Sequence, residues 1–213
     1  MKKFTRVSSK IVILSIVPLL IFSIIIFTSI TLTSDRYQHS LQTLESRLNQ
    51  TQKLNLIIRT FTSNIIDTAH KARSGMLLWE DAQTRINTGE KIIHEQWQNY
   101  QNGQLAESEI RITTAMQPLF QESSKAIEKI SAYVTQASSY SMGNYVDLQM
   151  YTALEPFLLK LDELVLLQKQ LTREDIESNQ QLSAQTNQMI MLAVSMVALL
   201  VLLLGFSIFN SIS

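Results

Sequence analysis

The chain has 213 residues, no cysteine, and 18 basic residues balanced by 18 acidic ones. The missing cysteines exclude a disulfide framework, and the even charge gives no basic footprint for a nucleic-acid partner. The 46% hydrophobic content would suit an ordinary soluble domain, but the apolar residues are gathered near the two ends.

Lys2, Lys3, Arg6 and Lys10 form a basic tail, residues 1–10, with no acid among them. Behind it, Ile11 to Leu32 is an uncharged run of 22 residues. About 20 residues cross a hydrocarbon core of roughly 30 Å, so residues 11–33 are expected to form a first transmembrane helix, kinked at Pro18. A cleaved signal peptide would have a shorter core and a small-x-small site, which Phe27-Thr28-Ser29-Ile30 does not offer.

The second long run, Met189 to Phe209, holds 13 Leu, Ile, Phe and Val residues. Their insertion gains on the order of 4–8 kcal/mol before polar costs, and residues 188–210 are expected to form a second span. No charge occurs from Ser178 to Ser213, and neither proline nor glycine from Phe157 to Leu204. One uninterrupted helix is therefore expected to start in water and end by crossing a bilayer. Basic flanks stay cytoplasmic, which places both termini inside and residues 34–187 outside.

After Thr33 the pattern becomes periodic. Tyr37, Leu41, Leu44, Leu48, Thr51, Asn55, Ile58, Thr62, Ile65, Ala69, Ala72 and Met76 alternate spacings of four and three, the seam of a long helix. Leu54, Ile57 and Phe61 add a second line that widens the stripe. A second helix carries Ala82, Ile86, Ile93, Trp97 and Tyr100, and a third runs from Ile112 through Met116, Leu119, Ala126, Ile130, Tyr133 and Ala137 to Tyr140. The fourth runs through Leu148, Tyr151, Leu154, Leu158, Leu161 and Val165 into the final span. Turns are expected at Gly75, Asn102-Gly103 and Met142-Gly143-Asn144. No alternating segment of useful length suggests a strand. The expected fold is all-α: an antiparallel up-down-up-down four-helix bundle whose first and last helices continue into the two membrane helices.

The run GNYVDLQMYTALEPFLLKLDELVLLQ, Gly143 to Gln168, resembles the last helix of the four-helix-bundle ligand-binding domain of methyl-accepting chemotaxis receptors. Ala72 to Tyr100, with Arg73, Leu77-Leu78 and Trp97-x-x-Tyr100, is similar to that family's first hairpin. The layout of basic tail, span, bundle and span covers essentially the whole chain, although its motifs are loose. The resemblance implies a two-pass sensor of the bacterial inner membrane, a homodimer through the bundle, with a periplasmic small-molecule ligand or binding protein as partner. It also implies a HAMP linker and a signalling module downstream. Here residues 211–213 stand where that linker would start, so the output half is expected beyond this chain. The same architecture precedes histidine kinases and diguanylate cyclases, and a non-sensing structural or docking bundle is the alternative of a different class.

No catalytic constellation is expected, and no cofactor. Glu90 and His94 share a helix face at i,i+4, but two residues are too few for a metal site. Thr51, Asn55 and Thr62 could line a pocket, though polar seam residues more often set register. The expected ligand site is at the Gly75 and Gly143 turns, with Lys71, Arg73 and Ser74 on one hairpin and Tyr140, Tyr145 and Tyr151 on the other. The resemblance implies arginines on the first helix gripping an anionic ligand. Arg59 and Arg73 are the candidates, 14 residues apart and expected on one face.

Overall fold

The structure, a computed structural model, describes the backbone of residues 2–212 and the side chains of residues 18, 20–29, 31, 33–34, 36–203 and 206. It is helical, with no strand among the described residues. In chain order the helices are α1 (Lys2–Thr60), α2 (Asp67–Arg73), α3 (Trp79–Gln101), α4 (Glu107–Thr135), α5 (Ser139–Tyr145) and α6 (Tyr151–Ile212). π-turns at Phe61–Ile66 and Val146–Met150 join α1 to α2 and α5 to α6 without a break.

Two units are distinguished, Met1–Thr43 with Glu174–Ser213, and Leu44–Arg173. In the first, Arg36 donates to the Thr186 hydroxyl at 2.7 Å and Asn179 to Ser40 at 3.0 Å. Beyond Met189 the large side chains of α6 stand uncovered, Leu192, Met196 and Leu202 among them. The helical run Ser139–Leu203 holds a window long and apolar enough to cross a membrane, none of it buried. Two such helices are expected from the sequence, and among the described residues this is the one that qualifies. Leu20–Ser29 is a shorter apolar stretch, and much of the expected first span lies outside the described side chains, as do the basic tail and residues 211–213.

The Leu44–Arg173 unit holds the core. Phe61, Trp97, Phe120 and Phe157 form an aromatic centre with ring centroids 5.3–5.8 Å apart, extended by Leu54, Ile57, Ile65, Ile86, Ile93, Met116, Ile127 and Ile130. Each such side chain contributes about 1.5–3 kcal/mol when fully withdrawn from water. Helix contacts pair rising positions with falling ones. Lys53 bonds the Asn99 carbonyl and Asn64 that of Arg85. Ser124 meets His94, and Thr135 meets Gln83.

The expected seam needs correction. Leu54, Ile57 and Phe61, the accessory line of the sequence pattern, are fully buried, while Leu48 is 59% exposed and Asn55 and Thr62 face outward. The cause is the π-turn, whose extra residue rotates the rest of the helix by about 100°. Uninterrupted, the buried line would continue from Phe61 into Asn64 and Lys71; with the π-turn it continues into Ile65, Ala69 and Ala72. Facing this turn is Gly89, where a Cβ would come within 2.7 Å of the Asn64 Cβ, so only glycine admits so close an approach of α3.

The turn expected at Gly143 is also displaced, since Gly143 lies inside α5. α4 stops at Thr135, and Ala137 adopts the left-handed conformation at φ 49°. The Ala137 N–H bonds the Val134 carbonyl and the Ser138 N–H that of Tyr133, a Schellman closure. Gly75, at φ 73°, closes α2 the same way through Met76 to Lys71. A sequence reading looks for glycine at that position, and at the second turn alanine holds it.

Candidate functional site

The expected ligand residues other than Arg59 stand around the end of the Leu44–Arg173 unit that holds the Gly75 and Ala137 turns, but they do not converge. Arg73, in the last turn of α2, ion-pairs with Asp147 of the second π-turn. His70 bonds the Tyr151 hydroxyl at 3.0 Å. Lys71 is held by Asp67 one turn back, at 2.7 Å, and the Ser74 hydroxyl donates to the Lys71 carbonyl at the helix end. Tyr140 is 87% exposed and far from packed. Arg59 is exposed and makes no hydrogen bond among the described residues; the intervening π-turn takes it off the face of Arg73. The arrangement is two ties between α2 and the α5–α6 segment, with no convergent arginine pair.

Tyr145 is different. Its ring is buried against Tyr133, centroids 5.7 Å apart, with the Lys129 ammonium 5.8 Å from its centre. Burial, and secondarily the neighbouring Tyr133, push its phenol pKa up, so it stays a proton donor at neutral pH. It lines an open cleft of about 420 Å³ between α4 and the Val146–Met150 turn with the start of α6.

The strongest polar cluster lies elsewhere, on Arg47, Glu109 and Gln168, which the sequence pattern does not single out, and on Tyr100 of the second-helix stripe. Glu109, in the first turn of α4, is fully buried. Its carboxylate accepts from Arg47 of α1 at 2.8 Å, from the Tyr100 hydroxyl of α3 at 2.7 Å, from the Ala106 N–H at 2.9 Å, and from the Gln168 amide of α6. The Ala106 bond is half of a capping box, alanine lacking the oxygen for the other half. Four helices are thereby tied through one carboxylate, whose charge is matched by a guanidinium 17% exposed. Burial raises the Tyr100 pKa far above its ordinary value; the Gln168 bond lowers it and Glu109 raises it further. The one sequence signal for this cluster is a glutamate just past the Gly103 turn region, at a helix N3 position. His94, the helix-face neighbour of Glu90, packs edge-on against Phe120 at 4.9 Å and meets the Ser124 hydroxyl at 3.3 Å.

The chain is similar to methyl-accepting chemotaxis protein NahY of Pseudomonas putida, 25% identical over 115 residues. The similarity covers 54% of this chain and 21% of that protein, so the chain matches about a fifth of its relative's length. No family model and no solved structure matches.

Proposed function

We propose that the chain is the sensory region of a chemoreceptor, binding or docking a stimulus outside the cell and passing it inward, without catalysis of its own. The observation that carries this is the 115-residue similarity to a methyl-accepting chemotaxis protein. In this reading residues 11–33 and 188–210 cross the inner membrane and residues 34–187 lie outside, as a dimeric antiparallel four-helix bundle. Opposed contacts support the bundle: Lys53 with Asn99, Gln83 with Thr135, Glu109 with Gln168, and His70 with Tyr151. The exposed apolar side chains of α6 past Met189 support its membrane role.

A stimulus must favour one helix packing over another, or it shifts nothing. α6 begins at the ties to α2, passes the Gln168–Glu109 contact and continues to Ile212, so a shift of about 1–2 Å in its position is the natural output. The natural absence of cysteine allows a direct test. Single cysteines at Gly75 and Tyr140 should react with an impermeant thiol reagent in intact cells; labelling only after lysis would reverse the topology. Fused after Ser213 to the linker and signalling module of a characterised receptor, the chain should restore chemotaxis to receptor-less cells. Two glycines inserted near Ser183 should abolish that response, and an unchanged response would rule out transmission along α6.

A further inference from the structure

The cleft between α4 and the α5–α6 segment is a place where the chain leading into α6 is irregular twice, at the π-turn Val146–Met150 and at Pro156. π-turns gather at functional sites. Pro156 has no N–H to offer the carbonyl of Thr152, one turn back. The hydroxyls of Thr62, Thr84, Thr114, Thr172 and Thr186 bond the carbonyl four residues earlier, whereas that of Thr152, which is exposed, has no hydrogen bond among the described residues, as is also true of Thr33 and Thr60. The Tyr145 hydroxyl likewise has none, although the residue is only 3% exposed. Lys129 has no carboxylate partner among the described residues, only the Tyr145 ring beneath it. The one acid in the cleft, Glu122, is held by Lys125 at 2.9 Å.

Four donors without a hydrogen bond among the described residues, Lys129, Tyr145, Gln149 and Thr152, thus line the opening together with Leu119, Leu148, Ala153, Pro156 and the Glu122 side chain. A carboxylate is acceptor-only and takes several donors at once, and the volume of about 420 Å³ suits a small organic molecule. We infer that this cleft binds a small organic monocarboxylate with an apolar body, its carboxylate on Lys129, Tyr145 and Thr152 and its body against Leu119, Leu148 and Pro156. The inference rests on the sensory reading for its purpose, while binding itself is measurable apart from it. A ligand seated there bridges α4 and α6, and so touches the helix that leaves the unit.

Hexanoate titrated calorimetrically into the full chain in lipid nanodiscs, with empty nanodiscs subtracted, is the test. Saturable binding is expected, weakened about tenfold by Lys129→Gln and by the isosteric Tyr145→Phe, and unchanged by Lys91→Gln on α3. Uncharged hexanamide should bind about tenfold more weakly and ignore Lys129→Gln. Circular dichroism melts confirm that each variant folds. Absence of saturable binding, or equal hexanoate affinity with Lys129→Gln, overturns the cleft. If it is overturned while the fused receptor responds to another chemoeffector, the sensory reading survives. If hexanoate binds through Lys129 and the fused receptor is silent to every effector, the cleft stands and the sensory reading falls.

Discussion

The two ends of the Leu44–Arg173 unit are held together in opposite ways. At one, a fully buried carboxylate ties α1, α3, α4 and α6. At the other, about 40 Å away by the helical rise between Arg47 and Arg73, the ties are an ion pair with Asp147 60% exposed and a histidine–tyrosine bond. Buried ionic contacts leave expensive orphans when broken, while exposed pairs contribute little. The polar ties fix register at one end and contribute little at the other, where burial of Ala69, Ala72, Met142, Val146 and Met150 holds the helices instead.

Removing the fixed end's charge is the sharpest way to break the contrast. Glu109→Leu removes the buried acceptor shared by Arg47, the Tyr100 hydroxyl and the Gln168 amide and should cost about 3–5 kcal/mol in denaturant unfolding; a loss below about 1 kcal/mol would put the two ends on equal footing. Next in size is the middle. Gly89→Ala drives a Cβ against Asn64 and should cost about 1–3 kcal/mol, read as a lower midpoint with unchanged slope.

Alkali should act most strongly at the Glu109 end. The Tyr100 phenol is raised by burial in the folded state, so below its unfolded value near 10 both states are protonated and its contribution is intact. Above pH ~10 the unfolded chain releases a proton that the folded chain keeps, and stability falls by about 1.4 kcal/mol per pH unit. Tyr100→Phe should remove that part of the slope, as followed by tyrosinate absorbance and thermal melts across alkaline pH. The smallest effect belongs to the opposite end: Arg73→Ala should cost no more than about 1 kcal/mol, and less in high salt.

Legibility in the sequence depends on which features leave a periodic trace. The buried faces of α3 and α4 repeat at helical spacing, whereas on the fourth helix Leu154 and Leu161 are buried as expected but Leu148 and Tyr151 are 68% and 48% exposed, with Phe157 and Leu164 buried in their place. Gly75 marks its turn by its left-handed backbone and Gly103 by its close approach to Gln50. The turn at Ala137 is invisible because alanine occupies a position that glycine normally marks. The α1 stripe misleads because an inserted turn residue leaves two overlapping lines, either of which continues a heptad. Glu109, Gln168 and Arg47 escape notice for a related reason. On an amphipathic helix a polar residue is taken for surface, and the burial of these depends on partners 59 to 68 positions away. Of the expected ligand residues, Tyr145 alone lines the cleft, since aromatic residues beside a turn report proximity but not direction.

The π-turn at Phe61–Ile66 also makes the length of this helix negotiable. Excising one residue from Thr62–Asn64 would let a regular α-helix run from Phe61 with Ile65, Ala69 and Ala72 still inward. A shorter homologue need not have rebuilt its interior, and Arg59 and Arg73 would keep their separate flanks.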